Sequence, residues 1–235
     1  MDTGLAYFKK VYDEVPGWVQ KMHDFSPEVL SHYTRIRSEI MKDGALTRKE
    51  KDVLIASMNA ARLYPRSMLY HTKGAVDNGI TIPELVEYFL VAYLYKGIES
   101  LKLSIKALAY ALELKGKCYE SKTTEVVTLD DIFHIIIQYM DNEDTSFVRE
   151  VFQNIQTGDR ERIERKILED GNVSSRLKYL NMVGNFITEL NGKGASSWIK
   201  KARNFGASEA DLADVGYICI LTAGIPAWFE ISDSL

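Results

Sequence analysis

The sequence is poor in cysteine and proline, and it has no long uninterrupted apolar run. Its two cysteines, Cys118 and Cys219, lie 101 positions apart and match neither a CxxC motif nor a zinc-ligand spacing. We therefore expect two reduced thiols. With only five prolines to interrupt them, long stretches keep a 3.6-residue periodicity, which predicts a mostly helical chain.

Further absences concern nucleic acid and membranes. The net charge of −4 and the pI near 5.7 lack the basic excess of a nucleic-acid-binding protein. No stretch approaches the roughly 18 apolar residues of a membrane span. Residues 1–18 lack the basic start and the apolar run of a signal peptide. We expect no nucleic-acid partner, no membrane partner and a cytoplasmic location.

The composition is that of an ordinary globular domain, with 46% hydrophobic and 26% charged residues. The apolar run at 133–140 imitates a buried strand, but the TLDD sequence before it predicts a capping box at Thr128 and favours a helix. The predicted helices cover residues 4–14, 27–43, 47–62, 65–78, 82–95, 98–115, 129–141, 145–156, 159–169, 174–190, 194–205, 209–222 and 225–232.

Two segments of the chain, 71–98 and 198–225, align without gaps at a constant offset of 127. The identical positions are Lys73/Lys200, Ala75/Ala202, Gly79/Gly206, Leu85/Leu212, Leu94/Leu221, Gly97/Gly224 and Ile98/Ile225. Any two helix–Gly–cap–helix hairpins look partly alike, which is the alternative explanation. The gap-free match favours an internal duplication.

The matched positions also carry the same structural signals. Thr81 and Ser208 stand where the following helix needs an N-cap, and Gly79 and Gly206 stand where a helix ends in a left-handed residue. We therefore predict a pseudo-symmetric all-α chain. Its parts are repeat 1 at 1–115, a linker at 116–128 and repeat 2 at 129–235.

One part of repeat 1 resembles a known family. Residues 45–98 read ALTRKEKDVLIASMNAARLYPRSMLYHTKGAVDNGITIPELVEYFLVAYLYKGI. They are similar to the carboxymuconolactone decarboxylase and AhpD-like alkylhydroperoxidase superfamily, whose pattern is L-[ST]-x-[KR]-x-[KR]-[ED], a sharp turn, and C-x-x-C-x-x-x-H-x-x-x-A on the next helix. The resemblance implies an AhpD-like helical bundle, with the two repeats forming an intramolecular pseudo-dimer.

The resemblance assigns roles residue by residue. The acid of the family pattern falls on Asp52, where Glu is more usual, and the family histidine falls on His71. The two motif cysteines fall on Tyr64 and Ser67. Repeat 1 therefore keeps an acid and the histidine but lacks both thiols.

The equivalent positions in repeat 2 are Tyr179, Asn191, Gly194 and Trp198. None of them is an acid, a thiol or an imidazole. On this interpretation repeat 2 is a structural partner that has no site of its own.

The resemblance implies two chemistries, of which one does not fit. The peroxidase members cycle a dithiol and a disulfide through a thiolate, and Tyr64 and Ser67 cannot replace that couple. Decarboxylase members use acid–base chemistry around the histidine. The implied function is a carboxymuconolactone decarboxylase-like, non-redox carboxy-lyase acting on a small carboxylated substrate. In it His71 transfers the proton, and Asp52 holds the imidazole ring.

The residues around the turn form the predicted substrate site. Pro65 suits the first position of a helix, and such a helix directs its free N–H groups and positive dipole end towards a substrate carboxylate. Tyr64, Ser67 and His71 share one helix face. The predicted substrate-binding residues are Tyr64, Ser67, Arg62 and Arg66. The plainer alternative makes Tyr64 and Ser67 spacers and Arg62 a surface residue.

A second function remains open, a non-catalytic helical scaffold or small-molecule binding protein with a decayed active site. We expect no cofactor and no metal, because His23, His32 and His134 have no partners at ligand spacing. Single-repeat relatives form trimers or hexamers, so the resemblance implies a homo-oligomer, either a dimer or a trimer. Trp198 and Trp228 either serve its interfaces or complete the core of repeat 2.

Overall fold

The computed structural model describes residues 3–117 and 128–235. Those ranges contain fourteen α-helices and no strand, which confirms the predicted all-α fold. The helices are α1 (Thr3–Tyr12), α2 (Gly17–Phe25), α3 (Pro27–Ile40), α4 (Arg48–Ala61), α5 (Pro65–Asp77), α6 (Ile82–Lys96), α7 (Ile98–Leu114), α8 (Leu129–Met140), α9 (Ser146–Thr157), α10 (Arg160–Leu168), α11 (Ser175–Thr188), α12 (Gly192–Asn204), α13 (Glu209–Ala223) and α14 (Pro226–Ser232).

Helix α2 is the element that sequence reasoning missed, because a Pro-Gly pair at positions 16 and 17 is typical of a turn. In the structure Pro16 is instead the N-cap of α2, and Val19 anchors the helix in the core. The predicted capping box at Thr128 is confirmed, since its side chain accepts from the Asp131 N–H. Most of the predicted linker, including Cys118, lies outside the described residues.

Helices α1 to α3 form a small core of their own against α5. Phe8, Tyr12, Val19 and Leu30 are its buried members. The ring of Tyr12 lies 4.7 Å from the ring of Tyr70 on α5, which joins this small core to the rest of the bundle. The N-terminal helices therefore cover one side of α5.

The central helices occur in pairs with equal spacing along the chain. Helices α4 and α11, α5 and α12, and α6 and α13 begin 127 positions apart and also end 127 positions apart. Leu63 and Leu190, which precede α5 and α12, both adopt a left-handed φ, 57° and 56°. The division into repeats at 1–115 and 129–235 stays a prediction.

Two buried ion pairs connect the paired helices crosswise. Lys178 on α11 lies 2.7 Å from Glu87 on α6, and Lys51 on α4 lies 3.1 Å from Asp214 on α13. The two lysines are 127 positions apart, as are the two acids. These contacts fix α4, the helix that carries Asp52, within the bundle.

Candidate active site

The candidate site begins at the tight turn between α4 and α5. Helix α4 starts with a capping box in which Thr47 accepts from the Glu50 N–H and the Glu50 carboxylate accepts from the Thr47 N–H. At its other end Leu63 takes its left-handed φ, and the Tyr64 N–H donates to the Asn59 carbonyl at 2.8 Å. Pro65 then opens α5 at its first position. The turn places α5 alongside α4 with Asp52 and His71 facing each other.

Asp52 and His71 form a buried hydrogen-bonded pair. The His71 Nδ1–H donates to Oδ1 of Asp52 at 2.7 Å, and the Nε–H of Arg48 donates to Oδ2 at 2.6 Å. Asp52 is 1% exposed and His71 is 7% exposed. Both carboxylate oxygens of Asp52 are therefore engaged, which fixes the plane of the carboxylate and the orientation of the imidazole.

Gly74 explains why an aspartate suffices where the family pattern more often has a glutamate. A Cβ added at Gly74 would lie 2.6–2.7 Å from all three atoms of the Asp52 carboxyl group. The missing side chain lets α5 approach α4 closely enough for the shorter acid to reach His71. Sequence reasoning did not identify Gly74, because its neighbour across the helix pair is 22 positions away.

We expect Gly74→Ala to lower the free energy of unfolding by about 1–3 kcal/mol, despite the higher helix propensity of alanine, because the new methyl group displaces a buried and hydrogen-bonded carboxylate. Urea denaturation measures the change. Gly17→Ala is the control, since a Cβ there meets no atom within 4 Å, and it should change stability by less than about 0.5 kcal/mol. Equal effects of the two substitutions would contradict this explanation.

The pair consists of an ionised acid and a neutral imidazole at neutral pH. Burial alone would raise the pKa of Asp52, but hydrogen bonds from His71 and Arg48 outweigh it and lower that pKa below its ordinary value. Burial lowers the pKa of His71 below its ordinary 6.5, against the opposing effect of Asp52, and the charges of Arg37 and Arg48 act in the same direction as burial. The His71 Nε2 atom then carries a free lone pair.

A cavity of about 320 Å³ adjoins His71. Its wall is formed by α1 to α3, the first turns of α5 and one residue of α13. The lining residues are Tyr12, Trp18, Tyr33, Arg37, Tyr64, Arg66, Ser67, Tyr70, His71 and Leu221. Among these residues two are arginines and none is an acid, so the cavity favours an anionic ligand.

The structure brings most of the predicted site residues together. Tyr64, Ser67, Arg66 and His71 all line the cavity, and Asp52 lies behind His71. The Ser67 hydroxyl accepts from Nδ2 of Asn59 at 3.1 Å, which orients it on the cavity wall. These residues therefore lie together at one cavity, and their functional role stays a prediction.

Arg62 is the predicted substrate-binding residue that does not line this cavity. Its Nε lies 3.2 Å from the Glu189 carboxylate, and its Nη1 donates to the Thr222 carbonyl at 2.7 Å. Both partners belong to the second half of the chain. The side chain of Arg62 thus links the two halves near the turn.

Sequence reasoning missed the lining residues that come from outside α5. Arg37 and Tyr33 lie on α3, Tyr12 on α1 and Trp18 on α2. No motif marks them, because each reaches the cavity only through the packing of the N-terminal helices. The available signal was a tyrosine-rich N-terminal segment followed by one arginine, Arg37, on the apolar face of α3.

The corresponding place in the second half holds aromatic side chains. The rings of Tyr179 and Trp198 stand where Asp52 and His71 stand in the first half, with centroids 6.1 Å apart. Asn191 caps α12 by accepting from the Gly194 N–H at 2.8 Å. The absence of an acid and an imidazole at these positions fits a structural role.

Three observations on the described residues bear on other kinds of site. Cys219 is buried, and its Sγ lies 3.9 Å from the Met58 sulfur. Within residues 3–117 and 128–235, no group of three His, Cys, Asp or Glu side chains is placed to hold a metal ion. No helix in the same ranges is long and apolar enough to cross a membrane.

The fold and the site together define a class, an all-helical protein with a buried acid–imidazole pair beside a small cationic cavity. Residues 27–111 match the sequence model of the carboxymuconolactone decarboxylase family. That segment, which contains Asp52, Tyr64, Ser67 and His71, is similar to this family, in agreement with the resemblance drawn from residues 45–98. No curated protein matches the chain.

Proposed function

We propose that this protein is a non-redox acid/base catalyst of the carboxy-lyase type that acts on a small carboxylated substrate. In this proposal His71 transfers the proton, and Asp52 is a positioning residue that sets the tautomer of the imidazole. Tyr64, Ser67 and Arg66 contact the substrate. Arg62 is left out of the substrate contacts because it is engaged by Glu189 and Thr222.

The observation that carries the proposal is the 2.7 Å hydrogen bond between Asp52 and His71 at the wall of the cavity. It directs Nδ1–H to the carboxylate and leaves Nε2, for which the described residues provide no hydrogen-bond partner, free to exchange a proton with a ligand. A pKa below 6.5 for His71 keeps this nitrogen unprotonated at neutral pH. The geometry is that of an imidazole oriented by an acid, as in other acid/base sites.

The chemistry that suits these groups is the replacement of a carboxylate by a proton. The bond between the substrate carbon and its carboxylate breaks, CO₂ leaves, and the electron pair remains on the carbon. A neighbouring carbonyl group of the substrate spreads that charge. His71 takes a proton from solvent and delivers it to the carbon, so that one carboxylate and one proton yield CO₂ and a C–H bond.

Thiol chemistry finds no support in the described residues. The positions of the two motif cysteines hold Tyr64 and Ser67. Burial raises the pKa of the Cys219 thiol far above its ordinary value, so that it is not a thiolate at neutral pH. A dithiol peroxidase cycle therefore has no reactive couple among these groups.

The test is a turnover assay with carboxylated lactones, beginning with a carboxymuconolactone, and with small keto acids. Release of CO₂ is followed for the wild-type protein and for His71→Gln. We expect release with the wild type and a loss of about 10²- to 10⁴-fold in kcat/KM with the variant. Turnover that is unchanged in His71→Gln would overturn the assignment. Saturable binding without turnover would favour the small-molecule binding protein.

A further inference from the structure

Arg37 is a buried cation at the cavity wall that forms no direct ion pair among the described residues. Its side chain is 2% exposed and belongs to the lining of the cavity. Within the described part of the chain, no carboxylate forms an ion pair with it. Burying an unpaired charge is unfavourable unless something compensates it, so the compensation at Arg37 needs to be identified.

The groups in direct contact with Arg37 are phenols and aromatic rings, and the Asp52 carboxylate acts on it electrostatically without a hydrogen bond. Nη1 donates to the Tyr7 hydroxyl at 2.7 Å and Nη2 donates to the Tyr12 hydroxyl at 2.8 Å. The guanidinium carbon lies 5.5–5.7 Å from the ring centroids of Tyr7, Phe8 and Tyr12. These contacts orient the guanidinium and offset part of its desolvation, but they do not neutralise its charge.

Tyr12 and Tyr33 stay neutral because they are buried. Burial raises the pKa of Tyr12 to about 12, although the charge of Arg37 opposes this, and burial likewise raises the pKa of Tyr33. Burial alone would lower the pKa of Arg37, but its interactions with the tyrosines and with Asp52 outweigh burial and raise that pKa, so the guanidinium is always charged. The site therefore keeps a charged guanidinium on a residue that lines the cavity.

The remaining wall is suited to a flat ring. Tyr12, Trp18, Tyr33, Tyr64 and Tyr70 provide five aromatic side chains around the cavity. Aromatic side chains pack well against planar groups, face to face or edge to face. A volume of about 320 Å³ is at the small end of the range for small-molecule sites, which limits the ligand to a compact ring with few substituents.

Two of the tyrosines that hold Arg37 lie outside the segment that matches the family. Tyr7 and Tyr12 on α1 precede residue 27, where the match begins. The orientation of Arg37, itself inside the matched segment, thus depends in part on a helix that the match does not cover.

We propose that Arg37 is the specificity-determining residue of the cavity and that it binds the carboxylate of a planar, unsaturated or aromatic ring. The guanidinium has five N–H groups, more than the hydrogen bonds to Tyr7, Tyr12 and Tyr33 use, and it binds a carboxylate through charge-assisted hydrogen bonds. The ring lies among the tyrosines and reaches towards His71. This inference rests on the proposed function only for the role of His71, because binding is measured without turnover.

The test compares three probes by isothermal titration with the full chain, namely benzoate, its uncharged analogue benzamide, and cyclohexanecarboxylate, which has the charge but not the planar ring. We expect saturable benzoate binding, with benzamide about tenfold or more weaker and cyclohexanecarboxylate also weaker. Equal affinities for benzoate and benzamide, or no saturable benzoate binding, would overturn the inference. This comparison needs no variant and therefore does not depend on whether a variant folds.

Variants then assign the effect to one residue. Arg37→Met should weaken benzoate binding about tenfold to a hundredfold and leave benzamide binding unchanged. The benzoate affinity of Arg37→Lys should lie between those of the wild type and Arg37→Met, since lysine keeps the charge but loses the planar guanidinium. Arg35→Met is the matched control, because it removes an exposed arginine from the same helix and should have no effect. Equal benzoate affinities of Arg37→Met and Arg35→Met would contradict the role of Arg37.

His71→Gln separates this inference from the proposed function. It should lose turnover but still bind benzoate more tightly than benzamide, because Arg37 is unchanged. If benzoate binding depends on Arg37 but no substrate is ever turned over, the proposed catalysis fails and the inference stands. If turnover depends on His71 but neither binding nor turnover depends on Arg37, the inference fails and the proposed function stands.

Discussion

Asp52→Asn is expected to lower kcat/KM by about 10²- to 10⁴-fold, although Asp52 does not line the cavity. The asparagine amide donates a hydrogen bond where the carboxylate accepts one, so it favours the His71 tautomer with a proton on Nε2. That nitrogen then cannot take up the proton that His71 delivers to the substrate carbon. The substitution also removes the negative charge beside Arg48, whose 2.6 Å hydrogen bond the amide oxygen can still accept. Steady-state kinetics on the substrate identified by CO₂ release measure the loss.

A matched control and a pH profile make this prediction specific. Asp77→Asn removes an exposed acid from the same helix as His71, where it pairs only with Lys73, and kcat/KM should not change. Because Asp52 opposes the lowering of the His71 pKa, the limb of the pH–rate profile that reports the titration of His71 should move to lower pH in Asp52→Asn. A loss of rate with this limb unmoved would contradict the coupling of the two side chains.

Glu87→Gln is expected to lower the free energy of unfolding by about 3–5 kcal/mol, because it leaves the buried charge of Lys178 unpaired. The two side chains are 1% and 0% exposed and lie 2.7 Å apart. Glu87 also accepts from the backbone N–H groups of Asn172 and Val173 at 2.8 and 3.1 Å. Burial lowers the pKa of Lys178, and Glu87 opposes that effect. Urea denaturation monitored by circular dichroism measures the change.

The control for charge removal is Glu99→Gln, which breaks an exposed pair with Lys102 and should cost less than about 1 kcal/mol. The double substitution Glu87→Gln with Lys178→Met should be more stable than Glu87→Gln alone, since it removes the unpaired cation. A loss below about 1 kcal/mol in Glu87→Gln, or no recovery in the double variant, would contradict a buried pair of this strength.

We propose that the two crossed ion pairs make the halves of the chain one folding unit, as expected of fused copies of an ancestral dimer. Asp214 accepts from the Leu46 N–H at 2.9 Å, and Glu87 accepts from the Val173 N–H, where positions 46 and 173 are again 127 apart. Each acid thus holds a backbone segment of the opposite half. This reciprocal pattern supports the predicted duplication.

The part of the site that could be predicted from the sequence is the part that local signals specify. The capping box at Thr47, the proline at the start of α5 and the spacing of Tyr64, Ser67 and His71 act within a few residues of one another. They determine where α4 and α5 begin and which face of α5 carries the site residues. The pairing of His71 with Asp52 came from the family pattern and not from spacing.

The part that could not be predicted depends on contacts between distant residues. Arg37 meets Tyr7 and Tyr12 across 30 and 25 positions, and only the packing of α1 to α3 brings them together. Gly74 is informative only once the two helices are known to touch. Helix α2 was missed because its Pro16-Gly17 pair is typical of a turn. In the structure, burial of its apolar face outweighs that local preference.

The most direct measurement is a pH titration of the His71 ring nitrogens by NMR, with the signals assigned by comparison with His71→Gln. We expect a protonated Nδ1 and an unprotonated Nε2 at pH 7, with a pKa of His71 below 6.5. Since the unfolded chain then binds this proton more readily, His71 should also reduce the free energy of unfolding as the pH falls below 6.5. A doubly protonated, positively charged ring at pH 7, or a proton on Nε2 alone, would contradict a neutral base oriented by Asp52.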